Sequence, residues 1–233
     1  MKPLKISTPF IASVSGLLVV LAVQGLWTEA RPFFETNGDI AARAERIAES
    51  PAVPRFSSST ALDLYIDDCK ELAGGFAGLE LGDEGFQKLI ADCHTRMKSI
   101  VSAAPAKSEA WLGLAVTSEA AGDTQLMWTA LLRSHETGPA QQSLAAERFK
   151  IVERQSGQHA ADIEQMFDAD LAVLVQSAKG SKFLADYYVG KPELRDRITS
   201  IAETLPADVQ NRLFYDIKAA AAARQPAPQP LTN

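Results

Sequence analysis

The sequence predicts an all-α protein with an N-terminal transmembrane helix followed by an array or bundle of helical hairpins. After residue 60, apolar residues recur at helical spacing in almost every segment, and no stretch alternates with the two-residue period of a strand. A long uncharged apolar run lies near the N-terminus. At 233 residues, the chain is long enough for one or two helical domains with a core.

The apolar run extends from Phe10 to Trp27, and residues 1–9 before it carry Lys2 and Lys5 but no acid. We interpret 10–27 as a membrane anchor and 1–9 as its cytoplasmic flank. The run is longer than a usual signal-peptide core, and residues 28–30 make a poor cleavage site, although a cleaved signal remains the alternative. Either way the rest of the chain crosses the membrane. In a Gram-negative cell this predicts a single-pass inner-membrane protein with its bulk in the periplasm.

Residues 28–60 are predicted to be a linker with one short helix. Prolines and a serine cluster at 57–59 are typical of linkers. Asp39 is placed to cap the short helix, in which Ile40, Ala44 and Ile47 lie on one side.

Two cysteines lie on the apolar faces of the next two helices. One helix begins at Thr60 and carries Cys69, and the other begins near Asp83 and carries Cys93. Consecutive helices pack antiparallel, so in an oxidising compartment we predict a Cys69–Cys93 disulfide that contributes about 3 kcal/mol. Two buried free thiols are the alternative, because unequal distances from the turn could keep the sulfur atoms apart.

Residues 107–139 are predicted to form an αα-hairpin. Trp111, Leu114 and Ala115 lie on one face of its first helix, and Gly122 and Asp123 break the pattern. A second apolar face then ends at Gly138–Pro139.

This hairpin resembles a tetratricopeptide repeat (TPR), because Trp111, Leu114 and Pro139 take the places of that family's Trp, Leu and Pro. Ala115 stands for the Gly and Leu131 for the Phe, whereas Ser118 and Met127 depart from the pattern. The resemblance covers residues 83–139 and implies a TPR-like hairpin domain over 61–156. An ordinary hairpin in a helical bundle is the alternative.

A TPR-like arrangement implies a concave groove for an extended peptide or a partner helix. The residues expected to line it are Glu109, Leu112, Val116 and Glu119. The alternative is that neighbouring helices bury Leu112 and Val116.

The C-terminal part, 157–224, is predicted to be helical, and the proline-rich tail, 225–233, to be disordered. We expect three aromatic residues in this part either to stack on sugar rings as a cluster or to pack in the core. They are Phe183, Tyr187 and Tyr188.

No motif for catalysis, cofactor binding or metal binding stands out. The net charge of −6 comes with no basic stripe, which argues against a nucleic-acid partner. The histidines, His94, His135 and His159, are isolated in sequence, and no phosphate loop is present. We interpret the acidic pairs as helix caps and solvated faces. These pairs are Asp67–Asp68, Asp83–Glu84 and Asp168 with Asp170.

The whole arrangement is also similar to membrane-anchored helical-repeat proteins of alphaproteobacteria that are associated with surface polysaccharide assembly or export. The shared features are the anchor, the paired cysteines, the hairpin ending at 133–139, and the Arg-Asp-Arg-Ile segment at 195–198. This resemblance implies a non-enzymatic periplasmic adaptor or scaffold that holds another envelope protein. The alternative is a carboxylate-dependent enzyme acting on glycans, which needs two acids about 5 to 10 Å apart in a cleft.

Overall fold

The structure is a computed structural model that describes residues 8–54, 57–155 and 160–224, with side chains from residue 13. Across these residues the chain forms eleven α-helices and no strand, so the predicted all-α fold is confirmed. The expected disordered tail, 225–233, lies outside the described residues. The helices are α1 Thr8–Glu35, α2 Ile40–Glu49, α3 Ser59–Gly74, α4 Ala77–Ala103, α5 Ser108–Ala120, α6 Thr124–Thr137, α7 Gln142–Arg154, α8 Ala161–Gln176, α9 Ala178–Gly190, α10 Arg195–Glu203 and α11 Ala207–Ala223, with a 3-10 turn at Pro192–Leu194 before α10.

The chain divides into two compact units, one up to Met127 and one from Trp128 onward. The division therefore lies inside α6, whereas the domain boundary predicted from the sequence lies between residues 156 and 157. The first unit contains α1 to α5, and the second contains α7 to α11.

Helix α1 continues through residues that were expected to belong to a linker. It runs to Glu35 and includes Pro32, which is buried. Proline removes one helical N–H donor, and here the surrounding turns are held by contacts with the rest of the unit. The linker prediction for 28–35 is therefore wrong. The predicted short helix is confirmed as α2, where the Asp39 side chain accepts a hydrogen bond from the Ala42 amide.

Among the described residues, α1 is the helix that is long and apolar enough to cross a membrane, over Ser13–Glu35. Its side chains between residues 13 and 27 are exposed, as a surface that faces lipid would be. The structure therefore agrees with single-pass anchoring by length and composition.

Glycines with positive φ mark the breaks between helical segments of the first unit. Gly82, with φ of 69°, interrupts α4 and restarts it next to Asp83, where the sequence predicted a helix to begin. Gly122, with φ of 74°, forms the predicted turn after α5. Glycine adopts this left-handed backbone without the steric cost that a Cβ would add.

A third glycine allows α5 to pack closely on both α3 and α4. A Cβ at Gly113 would lie 2.7 Å from the Met97 sulfur and 3.2 Å from a methyl group of Ile66. No pattern in the sequence had marked this position. The core of the first unit therefore depends on a residue without a side chain at this crossing.

The second unit is organised around the aromatic ring of Phe149. Its centroid lies 5.2 Å from that of Phe167, 5.4 Å from Phe183 and 4.8 Å from Tyr187. Phe183 and Tyr187 therefore pack against the core. Tyr188 instead lies beside the guanidinium of Arg195, 5.8 Å from its ring centroid.

Replacing Gly113 by alanine should lower the free energy of unfolding by about 1–3 kcal/mol, the usual cost of overpacking a core. Gly74→Ala is the matched control, because a Cβ there meets nothing within 4 Å. Denaturant unfolding of the full chain in detergent, followed by circular dichroism, measures both. An unchanged midpoint for Gly113→Ala would contradict the close crossing.

Candidate functional site

The last turns of α1 are attached to the body of the first unit by specific polar contacts. The Glu29 carboxylate accepts a hydrogen bond from the Ser58 backbone amide at 3.0 Å. The Glu35 carbonyl accepts one from Arg46 Nε at 3.0 Å, and the Glu35 carboxylate pairs with Arg31. Both ends of segment 29–35 are therefore fixed, one to the start of α3 and one to α2.

Tyr65 of α3 forms a further contact with α1. Burial, followed by the interaction with the Glu35 carboxylate, raises the pKa of Tyr65, so the phenol remains neutral. The Arg96 guanidinium lies 4.8 Å from the Tyr65 ring centroid and donates to the Ser50 carbonyl at 2.6 Å. Burial lowers the pKa of Arg96. An arginine of α4 thus connects the end of α2 with the aromatic residue that holds α1.

A buried ion pair connects α2 with α3. Arg43 Nε donates to Asp68 at 2.7 Å, and Arg43 Nη1 donates to Glu71 at 3.0 Å. Burial raises the pKa of Asp68, and Arg43 opposes this shift. Burial also acts to lower the pKa of Arg43, but its bonds to Glu71 and Asp68 outweigh burial and the pKa is raised. The interpretation of Asp68 as a solvated or capping acid was wrong.

The structure contains the predicted disulfide between Cys69 and Cys93. The two Cα atoms are 5.5 Å apart, both residues are fully buried, and the bond joins the middle of α3 to α4. The alternative of two free thiols does not apply.

The four residues expected to line a partner groove differ in exposure. Leu112 has no exposed surface, so it cannot contribute to an open groove. Glu109, Val116 and Glu119 are half-buried. The partner-binding prediction therefore now rests on these three residues.

In the second unit, three residues that are distant in sequence form a buried polar cluster. Arg148 donates to both carboxylate oxygens of Asp170, at 2.7 and 2.8 Å, and the two side chains are almost completely buried. Nδ1 of His135 lies 3.2 Å from Asp170 Oδ1. Asp170 is therefore not a solvated acid, and His135 is not isolated from carboxylates in space.

His135 borders a cavity of about 290 Å³ between α6 and α8. Glu136, Asp162 and Gln165 supply its other polar groups. The cluster with Arg148 and Asp170 fixes the orientation of the imidazole on one wall of this cavity.

The other candidate residues occupy separate places. His94 is half-buried, and burial, followed by the charge of Lys98, lowers its pKa. His159 lies outside the described residues. Asp168 pairs with Arg197 at 2.6 Å. Within the described ranges, no three His, Cys, Asp or Glu residues are grouped so that they could hold a metal ion.

We did not predict the contacts that fix α1 from the sequence. Arg31 and Glu35 are four residues apart, the spacing of an ion pair along a helix, and they follow the apolar run directly. That spacing could have indicated that the helix continues beyond Trp27. The partners of Glu29, Asp68 and Asp170 are more than twenty residues away, so no local pattern indicates them.

Comparison with protein-family models, curated proteins and solved structures finds no match to this chain.

Removing the disulfide should lower the free energy of unfolding by about 3–4 kcal/mol, because a loop of this length is no longer closed in the unfolded chain. The variant is Cys69→Ala with Cys93→Ala. Denaturant unfolding with and without dithiothreitol measures the effect, and the reductant should shift the midpoint of the natural chain but not that of the variant. Equal midpoints for the natural and variant chains under oxidising conditions would contradict this contribution.

Arg148→Met should cost about 3–5 kcal/mol of unfolding free energy, because it leaves the Asp170 carboxylate buried without its partner. Arg148→Met combined with Asp170→Leu should cost less than Arg148→Met alone. Denaturant unfolding of the natural chain, of Arg148→Met, of Asp170→Leu and of the double variant gives a double-mutant cycle. Additive losses would show that the two residues do not act as a pair.

Proposed function

We propose that this chain is a membrane-anchored adaptor that holds another envelope protein beside the membrane. The observation that carries the proposal is the continuity of α1, which passes from the apolar run into the helical body and is bonded there to α2 and α3. Such a connection positions a binding surface at a fixed height above the membrane. A fixed position is useful in a scaffold, because the surface that binds the partner is already oriented and less orientational freedom is lost on binding.

The compartment in this proposal is the one outside the cytoplasm, which in a Gram-negative cell is the periplasm. A fully buried disulfide supports it, because such bonds persist in oxidising compartments. Lys2 and Lys5 support the same orientation, since basic flanks stay in the cytoplasm.

The proposed partner surface is the α5 face that carries Glu109, Val116 and Glu119. These residues keep part of their surface exposed, and the first helix of a TPR-like hairpin presents such a face to peptides or helices. The role in polysaccharide assembly or export comes from the resemblance to envelope proteins described above.

Photo-crosslinking in the native membrane tests the partner surface. A crosslinking residue at Glu109 or Val116 should capture the same envelope protein, and one at Gln87, exposed on α4, should not. Val116→Arg should reduce capture from position 109 by about tenfold or more, since a charge placed in an apolar contact costs over 1.4 kcal/mol. Equal capture from Gln87 would contradict a defined surface.

Fusions at the C-terminus test the orientation. Alkaline phosphatase, which requires an oxidising compartment, should be active there, and green fluorescent protein exported by the same route should be dark. The reverse result would place the body in the cytoplasm and overturn the proposal.

A further inference from the structure

We propose that one end of the first unit rests on the phospholipid headgroups of the membrane that α1 spans, an inference that depends on the anchoring in the proposed function. This near end consists of residues 57–60 at the start of α3 and residues 104–107 between α4 and α5. The opposite, distal end consists of residues 75–84, around the Gly82 break.

The height of the near end follows from α1. Trp27 ends the apolar run and is 61% exposed, which suits the interface between membrane and water. Glu29 follows two residues later, about 3 Å along the helix axis. Since its carboxylate is bonded to the Ser58 amide, α3 begins close to the height at which α1 leaves the apolar layer.

The direction of α3 follows from further contacts. Glu29 is bonded to Ser58 at the start of α3, whereas Glu35, six residues later, is bonded to Arg46 of α2. In the same helix α2, Arg43 is bonded to Asp68 and Glu71, which lie further along α3. The two segments therefore run parallel, and α3 leads away from the membrane. Its 16 residues span about 24 Å, which is the distance from the near end to the distal end.

The charges of the two ends agree with this orientation. Residues 57–60 and 104–107 contain no acid, and the one cation of the near end, Lys107, is paired with Asp63. The distal end instead exposes the carboxylates of Glu80, Asp83 and Glu84. Anionic lipid repels carboxylates, so the near end is the compatible one.

Lys107 also holds the near end together. Its Nζ donates to Ser59 Oγ at 2.9 Å and pairs with Asp63 at 2.7 Å, which joins the start of α5 to the start of α3. Beside it a groove of about 400 Å³ is open to solvent. The groove is lined by Ser59, Leu62, Ala104, Pro105, Ala106 and Lys107. The apolar wall of this groove fits the boundary between headgroups and acyl chains.

Lipid quenching of a fluorophore tests this contact in the full chain, reconstituted in vesicles of phosphatidylcholine and phosphatidylglycerol. The dye is attached to one introduced cysteine at a time, while Cys69 and Cys93 stay oxidised. Ala106→Cys reports the near end, Glu84→Cys the distal end, and Val19→Cys the apolar part of α1; all three positions are exposed. The first two probes are tested with lipids that carry the quencher on the headgroup, and the third with lipids that carry it on the acyl chain.

The expected result is loss of more than half of the fluorescence at Ala106→Cys, almost none at Glu84→Cys, and strong quenching at Val19→Cys. If Val19→Cys is not quenched, α1 is not in the bilayer and the anchoring falls together with this inference. If Val19→Cys is quenched but Ala106→Cys is quenched no more than Glu84→Cys, the anchoring stands and the headgroup contact is overturned. Near-ultraviolet circular dichroism of each variant verifies that it is folded.

Discussion

Glu35 joins three elements of the first unit at the point where α1 meets the body. Its carboxylate pairs with Arg31 on α1 and interacts electrostatically with Tyr65 on α3, and its carbonyl accepts a hydrogen bond from Arg46 on α2. The apolar surface of α1 up to Trp27 is exposed, so the connection to the body is made by the last turns of the helix, where Pro32 is buried. Glu35, together with Glu29 about 1.7 turns earlier, fixes the orientation of the body relative to the anchor.

The two units use the same device to fix their helices, a buried arginine paired with a buried aspartate. Arg43 with Asp68 joins α2 to α3, and Arg148 with Asp170 joins α7 to α8. Such pairs add little net stability, because the loss of hydration offsets much of the attraction. They do penalise any packing that separates the partners. In the first unit the disulfide adds stability to the apolar core, and the ion pair favours the observed packing of α2 on α3.

Periodicity and turn residues predicted most of the helices, since the apolar faces of α3 to α8, the helix start near Asp83 and the break at Gly122 are local properties of the chain. The helical turn from Ala77 to Leu81, before Gly82, was not predicted. The bond between Cys69 and Cys93 was also predictable, because cysteines on the apolar faces of two consecutive, antiparallel helices are brought together by the packing of those faces. What sequence reasoning missed depends on distant partners. Pro32 suggests a linker by its residue type, but it is buried inside α1, which packs on α2 and α3. Asp170 suggests a solvated acid, but its partner Arg148 lies 22 residues away in the sequence.

With its last turns fixed to α2 and α3, α1 should behave as one rigid element with the body of the first unit. Pulsed electron paramagnetic resonance in lipid nanodiscs measures the distance distribution between spin labels at Val23→Cys on α1 and Asp67→Cys on α3. Both positions are exposed. We expect one narrow distance distribution, which broadens when Glu29 and Glu35 are both replaced by alanine. A broad distribution in the natural chain would show that α1 is a flexible tether and would rule out a rigid connection.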